Sequence, residues 1–311
     1  MIKQLKKLLK IGSLGKPHRS RFEQYEFSMD RFECTLSTLS HAGACEDLFL
    51  DTFSPEVILE IMNRAGLAEH LRSNGFTKTV LEIKKTDGGI HDLKIYYDKP
   101  APEHLLIDIR LSRITYMPEE QHVSGVIKER RFNVIAVEWL TLQNPKLAFT
   151  AERPRLPGQT FPGLGGIQYV ITLMEMFAVD LGIEAIVDVP ENFHAAVMYS
   201  KRFKFMDPAR EGMLRGVLRD LGSYALNDLS WGFITGTIRN TRTGKPVMFG
   251  PSEQVLPLAE SLSRYFASRE YLKRVEDTMN SDRYGLDYDR MLIERKNNPD
   301  YKNMTRTLDR A

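Results

Sequence analysis

The chain has 311 residues, 42% hydrophobic and 27% charged, a globular composition long enough for one central domain with extensions. Its 43 Lys and Arg against 41 Asp and Glu leave a formal net charge of +2, which argues against a general nucleic-acid binder. Two cysteines, Cys34 and Cys45, show neither CxxC nor zinc spacing and point to a reducing, cytoplasmic setting with no metal, and no run reaches the roughly 18 apolar residues of a membrane span.

In chain order, residues 1–11 (MIKQLKKLLKI) put Ile2, Leu5, Leu8 and Leu9 on one helical face, with Lys3, Lys6, Lys7 and Lys10 opposite or flanking it. Such a basic amphipathic helix covers a groove on its own protein or makes peripheral contact with an anionic membrane; the first is the plainer expectation. Ser54-Pro55-Glu56 is a helix start: a cap, a proline at the first helical position and early negative charge. Next comes a hairpin, TVLEIKKT and IHDLKIYYD around the turn Asp87-Gly88-Gly89. Two further strands follow, LLIDIRLSRITY (105–116) and FNVIAVEWLTL (132–142), so the first half reads as helix and then antiparallel meander.

From Arg153 the texture changes. RPRLPGQTFPGLGG holds three prolines and four glycines in fourteen residues. Ile167, Val170, Ile171, Met174, Ala178 and Leu181 then recur at helical spacing up to Gly182. IEAIVDVP is a short buried strand, ENFHAAVMYSKR a second helix and FKFMDP a last strand. Beyond residue 210 the chain reads mainly as helix, notably over 253–279, with a polar tail after about 295. Three regions result: an N-terminal extension over 1–53, a core over 54–209 and a mainly helical extension over 210–311.

A strand, a glycine-rich loop and a helix start make a natural anion site, because glycines let backbone N–H groups approach and the helix end is electropositive. Gly163-Leu164-Gly165-Gly166 stands at that place, with Arg153 and Arg155 upstream. Gln168 occupies the third glycine position of a dinucleotide fingerprint, and Gly244-Lys245-Pro246 fails the phosphate-binding loop pattern. A tight turn into a packed helix is the plain alternative.

Over residues 159–205 the chain resembles the GNAT-type N-acyltransferases. Gly163 and Gly165 match the small positions of the family's diphosphate loop, although Thr160 stands where Gln or Arg is usual and Gln159 falls one place early. Asn192, Ala195 and Tyr199 match the family's second-helix pattern, while Lys204-Phe205 replaces its usual Gly-Phe ending. The resemblance implies an α+β fold, a mixed and mostly antiparallel sheet flanked by helices, with a pantetheine arm lying between two splayed strands. It implies that Gly163, Leu164, Gly165 and Gly166, with Arg155 and Asn192, bind acetyl-CoA or another acyl-CoA as substrate, and that Tyr199 protonates the departing thiolate. For the base it offers Glu138, in an apolar strand, or His194, at the head of the second helix. The implied activity is transfer of an acyl group, from CoA or an acyl carrier protein, to a small amine or a protein amine. A catalytically degenerate binding or scaffolding protein on the same fold is the alternative. The helical region beyond 210 caps the acceptor cleft or supplies a homodimer contact.

Overall fold

In a computed structural model the chain is described over residues 39–41, 48–86, 88–119, 127 and 131–297. The basic segment 1–11, Cys34 and Cys45 lie outside the described residues. Among those described, no helix is long and apolar enough to cross a membrane.

Strand β1 (Leu39–His41) precedes helices α1 (Pro55–Arg64) and α2 (Leu67–Ser73). Ser54 caps α1, its hydroxyl accepting from the Val57 amide, and Pro55 takes the first helical position, where its missing N–H costs nothing. The hairpin β2 (Thr79–Lys85) and β3 (His91–Tyr97) turns through Gly89 at φ 75°, and β4 (Leu105–Tyr116) and β5 (Phe132–Leu142) complete the meander. Then come α3 (Ile167–Asp180), β6 (Ala185–Asp188), α4 (Phe193–Tyr199) and β7 (Lys204–Phe205). The remainder is α5 (Pro208–Leu221), α6 (Leu226–Ile234), β8 (Ile238–Asn240), β9 (Gln254–Pro257), α7 (Glu260–Ala267), α8 (Arg269–Ser281), β10 (Tyr284–Leu286) and α9 (Tyr288–Asn297).

The main sheet runs β1-β2-β3-β4-β5-β6-β9-β7. Among the described residues only β1 with β2 and β5 with β6 pair in parallel, so the expected mixed, mostly antiparallel sheet flanked by helices is what the chain forms. One face packs on α1, α2 and α3. Phe177 of α3 meets Phe49 and Phe53 at ring-centre distances of 5.4 and 4.7 Å. On the opposite face Val134, Ala185, Val187 and Val255 pack against Leu262, Tyr265, Tyr271 and Val275 of α7 and α8. Each fully buried aromatic or aliphatic side chain of this kind contributes about 1.5–3 kcal/mol.

Residues 210–311 are more than a helical extension. They supply β9, which sits inside the main sheet between β6 and β7, and the helices that cover its second face. The seam between α5 and α8 is tight: a Cβ on Gly212 would lie 2.6 Å from the Val275 carbonyl oxygen and 2.7 Å from Thr278 Cβ. An alanine inside an exposed helix gains about 0.5–1 kcal/mol over glycine. Here overpacking reverses the sign, and Gly212→Ala is expected to destabilise the protein by about 1–3 kcal/mol in urea unfolding. A stabilised variant would contradict this packing.

Candidate functional site at the parting of two strands

β5 and β6 pair from Val134↔Ala185 to Val137↔Asp188, where β6 ends. β5 runs on to Leu142, still paired with β4, so among the described residues its edge toward β6 has no strand partner beyond Val137. A β-bulge falls at the same point: Arg110 faces Trp139 and Leu111 faces Val137, which leaves Glu138 as the additional residue. The crossover from β5 to β6 runs through α3, so the carboxyl ends of both strands and the heads of α3 and α4 come to one side of the sheet. Crevices that hold ligands form at such places in sheets with parallel neighbours.

The glycine loop lies at that end of β5. The Asn144 amide donates to Pro162 O at 2.7 Å and the Leu164 amide to Leu142 O at 3.4 Å. Residues 143–162 are therefore an excursion that leaves and rejoins the end of β5, and the strand itself is where the sequence puts it. Gly165 and Gly166 adopt φ of 76° and 74°, a left-handed pair that lets the chain enter α3. At Gly166 a Cβ would sit 2.5 Å from His70 Nε2, so only glycine fits beneath that ring. His70 Nε2 in turn donates to Leu164 O at 3.3 Å, and its ring lies 5.0 Å from that of Tyr169. Among the described residues the amides of Gly165, Gly166, Ile167 and Gln168 donate no hydrogen bond, and Gly166 brings no capping side chain. They stand at the electropositive end of a helix of 14 residues. The Leu164 amide is already committed to Leu142, and its side chain is core.

A second set of polar groups gathers where β6 stops. Asp188, cross-strand neighbour of Gln254, is buried, and among the described residues its Oδ2 has no hydrogen-bond partner. Gln254 donates through Nε2 to Ala196 O at 3.2 Å, and its Oε1 is likewise unpartnered. Asn192 starts α4 without capping it, its Oδ1 buried and unpartnered. Burial pushes the Asp188 carboxyl up to about 7, with Glu191 adding to the rise and a hydrogen bond from the Val189 amide opposing it. Tyr199 packs 5.5 Å from the Phe203 ring, and burial, reinforced by Asp188, holds its phenol far above the usual range. Nothing in the spacing of Asp188 or Gln254 marked them in the sequence; their interest comes from being buried polar groups without partners.

Glu138 is not sheltered: it is exposed, and it accepts from Ser112 Oγ at 2.5 Å. Ser112 points away from the face that carries Leu111 and Tyr199, so Glu138 and Tyr199 lie on opposite faces of the sheet. His194, at the head of α4, is buried. Its backbone N–H donates to Ser230 Oγ at 3.1 Å and its Nδ1 lies 2.9 Å from the same oxygen. The hydroxyl and Nδ1 share one proton between them, and the tautomer sets which of the two donates. Burial lowers its pKa to about 4, which makes the imidazole a weak base near neutral pH. Arg155 is a brace: its carbonyl accepts from Trp231 Nε1 at 2.9 Å and from Asn227 Nδ2, and its own Nε donates to Gln159 O at 2.7 Å. No group of three or more His, Cys, Asp or Glu suited to a metal ion occurs among the described residues.

The histidine's burial has a measurable consequence. Between an unfolded pKa near 6.5 and the folded value of about 4, the unfolded chain binds a proton that the folded chain refuses. The stability is therefore present above 6.5 and lost as pH falls through 4. Wild type should lose about 3 kcal/mol more than His194→Gln between pH 7 and pH 4 in denaturant titrations. Parallel pH dependences in the two proteins would show that His194 titrates freely.

No family model matches this chain, and no curated protein matches it. Among solved structures it is similar to FeeM, an N-acyl amino acid synthase from uncultured soil microbes. That similarity stands at 8% identity and a TM-score of 0.28, over 68% of this chain and 90% of the other. A likeness that low establishes no relationship, and the functional reading rests on the geometry of this chain.

Proposed function

We propose that this protein transfers an acyl group from a pantetheine thioester, acyl-CoA or an acyl carrier, to an amine. The observation that carries the reading is the parting of β5 from β6 beyond Val137 and Asp188, with the unspent amides of Gly165–Gln168 at the same end. A pantetheine arm carries two amide groups and suits the edge of β5 over 138–141, in the manner of an added strand. A diphosphate suits the amides at the head of α3, where helix end and N–H groups both favour an anion. Tyr199, kept neutral by burial, supplies the proton for the sulfur as the C–S bond breaks and the C–N bond forms.

A second reading, that the fold binds an acyl thioester without turning it over, is favoured by the placement of Glu138 and His194, neither of which is a sheltered, free base. The readings part on two measurements.

Thermal unfolding with CoA tests the anion site. Saturation near 100 times Kd stabilises a protein by about 2.7 kcal/mol. Asn and Asp both tolerate the left-handed conformation of Gly165 and differ in charge. Gly165→Asn should keep the CoA-induced rise in Tm and Gly165→Asp should lose it. Equal rises in both, or none in wild type, would remove the diphosphate site. For the acid, Tyr199→Phe should keep CoA binding and slow thiol release from acyl-CoA about 10²-fold. An unchanged rate would assign Tyr199 to packing alone.

A further inference from the structure

Asp188 is the buried carboxyl for which the fold provides no cation. Among the described residues it forms no ion pair, its Oδ2 is without a partner, and it is only 8% exposed. The other buried carboxylates are treated differently: Glu175 meets Arg202, Glu211 meets Arg215 and Lys204, and Asp108 meets Arg110. A carboxyl enclosed without a counter-charge costs stability that an apolar side chain of the same size would not, so its position asks for a functional explanation. That position is the last residue of β6 paired to β5 before the strands separate. By strand alternation its side chain shares the face of Ile186, toward α4, and it lies near enough to the Tyr199 phenol for its charge to raise that group. Its cross-strand neighbour Gln254 brings a second unpartnered acceptor oxygen, with the amide nitrogen fixed on Ala196 O. Two buried acceptors lacking a donor, side by side at the parting, fit a group with several N–H protons.

We infer that Asp188 is the base of the reaction: its carboxylate takes the proton of the attacking amine, while Gln254 Oε1 accepts a second N–H and orients the nitrogen. This rests on the acyltransferase reading and assigns within it the role that Glu138 and His194 do not fill. The steps balance. The amine nitrogen bonds to the thioester carbon as the C–S bond breaks, and its N–H proton passes to Asp188. The Tyr199 hydroxyl proton goes to the sulfur. Asp188 then hands its proton to the tyrosinate, which restores both groups without an external acid. Glu191 and Tyr199 are the titratable groups that act on Asp188; β5 and β9 face it with Val137 and Gln254, which do not titrate.

The test is thiol release from acetyl-, octanoyl- and palmitoyl-CoA, each with glycine and with butylamine, from about pH 5.5 to about pH 9, beside CoA-induced thermal shifts on the same proteins. Asp188→Asn keeps the size and replaces the carboxyl by an amide. Wild type should release thiol at a rate that rises through about pH 7. Asp188→Asn should bind CoA as wild type does, fall at least about 100-fold and lose the inflection. Gln254→Leu should raise KM for the amine more than it lowers kcat. An Asp188→Asn variant within about threefold of wild type, or with the same inflection, overturns the assignment, as does a wild type that binds CoA and releases no thiol to either amine. A wild type that shows no thermal shift with CoA sinks the acyltransferase reading itself, and that outcome is separate.

Discussion

Backbone amides and carbonyls seek partners, and along β5 that demand is met by β4 on one side, while on the other no described strand continues between Val137 and the Leu142 carbonyl that holds Leu164. The four-residue strand β6 stops at Asp188 while β5 continues, and the bulge at Glu138 turns β5 as they separate. Every group of functional interest stands around that parting: the amides at the head of α3, the unpartnered oxygens of Asp188, Asn192 and Gln254, and Tyr199 at the end of α4. The packing beneath it is buried and aromatic. Phe177 is locked between Phe49 and Phe53, and Gly166 is closed over by His70, so the head of α3 holds its place without a capping side chain.

The polar groups are of two kinds, and the difference is electrostatic. The head of α3 presents donors and partial positive charge, which suits a diphosphate. The end of β6 presents acceptors and a carboxyl near its midpoint at neutral pH, which suits N–H groups. A substrate pair with phosphate at one end and an amine at the other matches both. The C-terminal residues take part in the second pole, because β9 brings Gln254 across from Asp188 and α6 brings Ser230 to His194.

Much of the scaffold was legible in the sequence. The strand at 132–142 and the strand at 105–116 fall on the residues that alternation marks, and Ser54-Pro55 begins α1 as cap chemistry requires. The helix after Gly166 follows its apolar spacing, although burial extends round to Leu173 and Phe177, which one-face periodicity does not show. What the sequence concealed is long-range. Glu138 looks sheltered between Val137 and Trp139, yet the bulge and Ser112 place it on the open face. His194 looks like a first-turn surface residue until α6, distant in sequence, covers it. Arg155 reads as a phosphate ligand, and the backbone carbonyl through which it ties the 143–162 excursion to α6 leaves no mark in the sequence. Asp188 carried no signal, since a short apolar strand ending in Asp is ordinary, and only the missing partner sets it apart.

The claim at the centre is that the amides leading into α3 grip a diphosphate. The direct measurement is an amide-resolved ¹⁵N–¹H titration of the protein with CoA, followed residue by residue. The account predicts saturable shifts confined chiefly to Gly165, Gly166, Ile167, Gln168 and the free edge of β5, with Leu164, already bonded to Leu142, moving least. Shifts that gather elsewhere on the surface while those amides stay still would contradict it.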